Sequence, residues 1–138
     1  MKQLIGLFAL LLVACGGQAT GLKVDDAHYR APLVDGAPGV AYFSITSAAN
    51  DRIVGISSPD AQSVEIHGSS TEGGMARMQK LDQVELPAGK TVTFGPGGLH
   101  VMVFTPVPRQ ANAIFPIQIT LESGRTETFS FTDEAAAK

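Results

Sequence analysis

What most constrains this chain is its punctuation. From Leu22 onward, short alternating or β-branched runs recur, each cut off by Gly, Pro, Asn or Asp. Apolar residues at a period of two mark a half-buried strand, and those breakers cannot continue one. Candidate strands fall at residues 22–29, 40–46, 52–58, 63–67, 75–81, 91–94, 99–104, 113–122 and 126–132. The breaks are physical. Asp35-Gly36-Ala37-Pro38-Gly39 cannot extend a strand, and Ala49-Asn50-Asp51 and Glu122-Ser123-Gly124-Arg125 are hairpin-like turns. Leu86-Pro87-Ala88-Gly89 and Gly95-Pro96-Gly97-Gly98 are two more. No stretch after Cys15 has helical period. Nine short strands at this spacing predict an all-β Greek-key sandwich or barrel, with no internal repeat and no second domain.

The first residues stand apart. Met1, Lys2 and Gln3 form a short positive start, and residues 4–13 an apolar run too short to span a bilayer comfortably. Leu12-Val13-Ala14-Cys15, followed by Gly16-Gly17, resembles the bacterial lipobox. There the cysteine is acylated, cleavage occurs before it, and it becomes the new N-terminus. The expected division is a lipoprotein signal peptide at 1–14, lipidated Cys15 with a flexible tether at 15–21, and one β domain at 22–138. An ordinary secretory signal is the alternative, and either exports the protein. Gly16 after the cysteine, rather than Asp, points to the outer membrane in a Gram-negative host, and otherwise to the outer face of the cell membrane.

Removing the first 14 of 138 residues leaves 124, enough for one domain with its own core. The net charge of −3 becomes −4 when Lys2 is lost, which argues against nucleic-acid binding. Cys15 is the only cysteine, so the domain stands on its core without a disulfide. No second apolar run reaches transmembrane length.

Within this frame, residues 67–102 concentrate the chemistry. They hold two of the three histidines and every methionine except Met1. Ten residues separate His67 from Met78, twenty-one separate Met78 from His100, and one separates His100 from Met102. In a strand, residues two apart share a face about 7 Å from one to the next. His100 and Met102 therefore project together while Val101 and Val103 face the core. Val64 and Ile66 likewise alternate with Glu65 and His67, which leaves the imidazole on the other face at the strand end. Met78 must approach from a third segment.

Thioether sulfur is soft and needs no deprotonation, and imidazole binds when neutral. Two of each suit Cu(I). Methionine argues against structural zinc, and the absence of a carboxylate cluster against calcium or magnesium. A blue-copper centre needs a cysteine thiolate, which the domain lacks. The spacing by itself leaves a second arrangement open, with the histidines on the surface and the methionines filling the core. Met75, three residues before Met78, should face the other way as core or rim. His28 reads as a structural or surface residue rather than a ligand. Arg30 and Glu65, charged residues on a strand, could screen or orient the site, but a solvated face is the safer reading.

At these residues the chain resembles the periplasmic copper chaperone family called PCuAC, whose signature spacing His67, Met78, His100 and Met102 meet without a gap. The flanks are similar too: Val64-Glu65-Ile66-His67, Leu86-Pro87-Ala88-Gly89, Pro96-Gly97-Gly98-Leu99-His100-Val101-Met102, and upstream Tyr29-Arg30-Ala31-Pro32 and Ser57-Ser58-Pro59-Asp60-Ala61. The resemblance spans residues 24–131. It implies a cupredoxin-like β-sandwich and one Cu(I) per chain held by those four side chains. It further implies delivery of copper to the dinuclear CuA centre of cytochrome c oxidase subunit II, with a Sco-type thiol protein as partner. Two features depart from the family. Gly68 follows His67 where an acidic residue is common, and the tail lacks the Met- and His-rich extension of some members.

The expected function is a membrane-tethered Cu(I) metallochaperone and not an enzyme. The rival is a membrane-anchored β-sandwich interaction or assembly lipoprotein without metal, whose His and Met residues do not converge. A hydrolase is a weaker third option, since no Gly-x-Ser-x-Gly elbow is present.

Overall fold

The computed structural model describes residues 21–108, 110 and 112–134. The lipobox-like segment, Cys15 and the tether up to residue 20 lie outside the described residues. Ten strands follow one another: β1 (Leu22–Arg30), β2 (Gly39–Ser47), β3 (Asp51–Ser57), β4 (Ala61–Glu72), β5 (Met75–Leu81), β6 (Val84–Leu86), β7 (Thr91–Phe94), β8 (Leu99–Pro106), β9 (Ile114–Leu121) and β10 (Thr126–Asp133).

Their hydrogen-bonded order is β5-β4-β8-β7-β2-β1-β10-β9-β3-β6, with β2 also pairing β8 directly. The halves join through a short parallel ladder, His28 opposite Thr132 and Tyr29 opposite Asp133. The sheet then folds over on itself into a cupredoxin-like sandwich. The β2–β3, β3–β4, β5–β6, β6–β7 and β8–β9 connections each cross from one half to the other, which gives the Greek-key character.

Period-two patterning puts the core between the halves. β2 alternates buried and half-buried side chains along its whole length. Phe43 stacks on Phe94 at 4.3 Å between centroids and meets Phe131 of the opposite half edge-on at 5.4 Å. Tyr29 stacks on Phe115 at 4.3 Å. Such ring pairs add about 0.5–1.5 kcal/mol each beyond their buried area. Among the described residues, the buried core residues run from Leu22 to Phe131. Gly39 is required where it stands, because a Cβ there would lie 2.5 Å from Tyr29 Oη and 2.6 Å from Cε2.

Two elements depart from the sequence expectation. β6 is a tenth strand, pairing Asp51 with Leu86 and Ile53 with Val84. Three residues ahead of Pro87 are too short for a periodic signal. β4 reaches Glu72 rather than ending at His67, so His67 sits inside the strand. Beyond Gly68 the strand has left β8 and pairs only β5, so Ser69, Ser70 and Thr71 cover no core and carry no apolar alternation. The ribbon closes at Gly73-Gly74, both at positive φ (57° and 78°), the backbone that a two-residue hairpin turn requires.

Candidate metal centre

Three strands build the site on the outer face of one half. Val101 and Val103 of β8 are fully buried, and Val64 and Ile66 of β4 nearly so. Their alternates, His100 and Met102, Glu65 and His67, therefore point outward together. The β4–β8 ladder sets His67 directly opposite His100 and Glu65 opposite Met102. The two imidazole centroids are 5.9 Å apart, tilted by 38°.

Met78 arrives from β5, the edge strand. The register pairs Lys80 with His67 and Met78 with Ser69, so Lys80 and Met78 share the face of His67. From there the Met78 sulfur reaches His100, with Sδ 3.2 Å from Nε2. The other ring nitrogen of His100, Nδ1, donates to the Gly98 carbonyl at 3.0 Å. A carbonyl can only accept, so in the neutral ring Nδ1 holds the proton and Nε2 presents its lone pair to the sulfur. Two donor atoms without a proton between them thus converge. Met102 completes the face two residues along β8, about 7 Å from His100 by strand geometry. Its flanking partners are Val40 of β2 and Glu65 of β4.

The site opens to one side. His100 is 8% exposed, whereas Met78 is 57% exposed. His67 is largely covered, with Nδ1 buried and without a hydrogen-bond partner. Its Nε2 bonds Oε2 of Glu65 at 2.9 Å, and Lys80 Nζ donates to Oε1 of the same carboxylate at 3.0 Å. The hydrogen bond from His67 first, and that from Lys80 second, hold the Glu65 carboxyl below the usual glutamate range. For Glu65, sequence reasoning weighed an orienting role and preferred a solvated face; the structure places it against His67. The Glu-x-His spacing already placed both side chains on one face, but the hydrogen bond depends on the β4–β5 register that brings Lys80 alongside.

The remaining candidates lie elsewhere. Met75 is 62% exposed on the opposite face of the β4–β5 ribbon, a rim residue turned away from the site. His28 shares the outer face, but its ring packs on Tyr42 at 5.5 Å and its Nδ1 bonds the Asp26 carbonyl at 2.9 Å. Arg30 pairs with Glu134 and lies over the Tyr42 ring. A groove of about 870 Å³ is lined by Leu33, Val34 and Pro38 in the β1–β2 connection, and none of the four His and Met side chains enters it.

Among the described residues, no three His, Cys, Asp or Glu side chains converge as a metal-holding group. What converges is neutral and soft: imidazole nitrogen and thioether sulfur. Such a set favours a soft monovalent cation over zinc or calcium.

The model of the family described as "Putative lipoprotein LpqE-like" matches residues 22–132. Among curated proteins, "Putative lipoprotein Lxx21020" of Leifsonia xyli subsp. xyli is 27% identical over 113 residues, which cover 80% of this chain and 68% of that protein. Among solved structures, the copper-bound PCuAC domain from PmoF2 superposes with a TM-score of 0.68 at 24% identity, covering 83% of this chain and 93% of that one. The Cu(I) form of DR1885 from Deinococcus radiodurans gives a TM-score of 0.63 at 25% identity, over 91% of this chain and 87% of that one. The fold is therefore that of PCuAC domains.

Proposed function

The chain belongs to the LpqE-like lipoprotein family, and on that footing we propose that it is an extracytoplasmic Cu(I) carrier, not an enzyme. One Cu(I) per chain would be held by His67, Met78, His100 and Met102. The observation that carries this reading is the contact between His100 Nε2 and Met78 Sδ, with His67 directly across the ladder. Four side chains from three strands share one face, and the donors are those that a soft cation prefers. The copper-bound structures of similar domains support the same reading.

The exposure gradient suits a carrier. The imidazoles are covered and Met78 is open, so a recipient's ligand would displace the thioether first and take the ion stepwise. We further propose a signal peptide at 1–14, a lipid anchor on Cys15 with a tether to residue 21, and the carrier domain at 22–138. The recipient in this reading is the CuA centre of cytochrome c oxidase subunit II, directly or through a Sco-type protein.

Anaerobic Cu(I) titration of residues 16–138 against a chromogenic chelator tests the carrier, beside the double variant Met78→Ala, Met102→Ala. One equivalent bound by the parent and lost by the variant is the expected result. No binding by the parent would overturn the copper reading and leave the metal-free interaction lipoprotein in its place.

A further inference from the structure

His67 and His100 are not equivalent donors, and the difference is built into β4 and β5. The Gly98 carbonyl accepts a hydrogen bond from Nδ1–H of His100, which keeps the ring proton on Nδ1 and leaves Nε2 as the metal-donor atom. At His67 the partner sits on the other nitrogen: Glu65 Oε2 lies 2.9 Å from Nε2. A carboxylate accepts, so Nε2 carries the proton and the lone pair of the neutral ring is on Nδ1. That Nδ1 is buried and has no hydrogen-bond partner. An orphaned buried acceptor destabilises the fold unless something else satisfies it.

We propose that Glu65 is a positioning residue, held by Lys80, that fixes His67 as an Nδ1 donor, so that the bound cation takes Nδ1 of His67 and Nε2 of His100. This rests on the carrier reading above.

The geometry supports the chain from Lys80 through Glu65 to His67. Glu65 and His67 are two apart on one strand and share its outer face. Lys80 is the direct cross-strand partner of His67, and its ammonium takes the second carboxylate oxygen at 3.0 Å. Both oxygens of Glu65 are thereby engaged, and the carboxylate cannot turn away from the ring without losing a charged partner. Carboxylate-to-histidine hydrogen bonds of this kind set the tautomer and ring orientation of metal-binding histidines. Glu65 does not touch the bound metal ion in this scheme and acts on it only through His67.

The test is ¹⁵N long-range NMR of the histidine rings of the purified protein, without metal and then with Ag(I), a diamagnetic soft cation. Without metal, His67 is expected as the Nε2–H tautomer and His100 as the Nδ1–H tautomer. Ag(I) should then shift Nδ1 of His67 and Nε2 of His100. Glu65→Ala should mix the His67 tautomers and weaken Cu(I) binding about 10- to 100-fold. Glu65→Gln, whose amide oxygen still accepts from Nε2–H, should restore the parent tautomer and most of the affinity. Thermal unfolding of both variants shows whether they are folded, a readout that loss of packing alone would move and the tautomer change would not.

An Nδ1–H tautomer at His67, or an Ag(I) shift on Nε2 of that ring, overturns this inference while leaving the carrier intact. So does parental Cu(I) affinity in Glu65→Ala. No Ag(I) shift on either ring sinks the carrier reading and this inference together.

Discussion

Met78→Leu separates binding from packing. Fully burying a methionine contributes about 1.5–3 kcal/mol. Met78 is 57% exposed, so no more than about half of that is at stake. Leucine has nearly the same volume and keeps most of it, so the metal-free variant should unfold within about 0.5 kcal/mol of the parent. The copper-loaded state is different. At free Cu(I) a hundredfold above the parent's dissociation constant, binding adds about 2.7 kcal/mol. Removing one sulfur donor should weaken binding at least about tenfold, or 1.4 kcal/mol. At the same free Cu(I), the variant then gains only about 1.4 kcal/mol. For a domain of this length, about 4 °C of midpoint per kcal/mol gives a copper-dependent rise near 11 °C for the parent and 6 °C for the variant. Anaerobic scanning calorimetry with chelator-buffered Cu(I) measures both. An equal rise in the two proteins refutes Met78 as a donor. A metal-free midpoint lowered by more than about 5 °C shows instead that it serves packing.

Three further outcomes follow from the same structure. Gly39→Ala drives a Cβ into Tyr29, which is 1% exposed and pinned against Phe115, so it should cost about 1–3 kcal/mol, read as a lower urea midpoint. An unchanged midpoint would mean that the ring can move aside. Asp51 is held below its usual value chiefly by the Ser123 hydroxyl. The folded state thus binds that proton more weakly than the unfolded state, so this stabilisation is present above about pH 4 and fades as pH falls through the lower folded value. Asp51→Ala should flatten the acid limb of the stability curve, and an unaltered limb would show that the Ser123 contact does not matter. Zn(II) should leave the unfolding midpoint where it is while Cu(I) raises it, because thioethers hold zinc poorly. Equal shifts from both ions would contradict the soft character assigned to the site.

Much of this was legible in the chain itself. Alternation and breakers located nine of the ten strands, because a half-buried strand must repeat every two residues and Gly or Pro must interrupt it. The same period placed His100 beside Met102 and turned Val101 and Val103 inward, as the buried valines show. The strand ends were less legible. The far half of β4 pairs only β5 and covers no core, so its sequence shows no apolar rhythm.

Only tertiary structure decided which residues meet across strands. Local sequence specifies the faces of a strand but not its register against a neighbour. A shift of one residue along β5 would turn Met78 and Lys80 away from the site. The Gly73-Gly74 turn and the core beneath Ile66 and Leu81 set that register, and with it the meeting of Met78 with His100 and of Lys80 with Glu65. Residues 67–102 carried the chemistry in their composition. Its arrangement, including which nitrogen of His67 bears the proton, exists only once β4, β5 and β8 lie side by side.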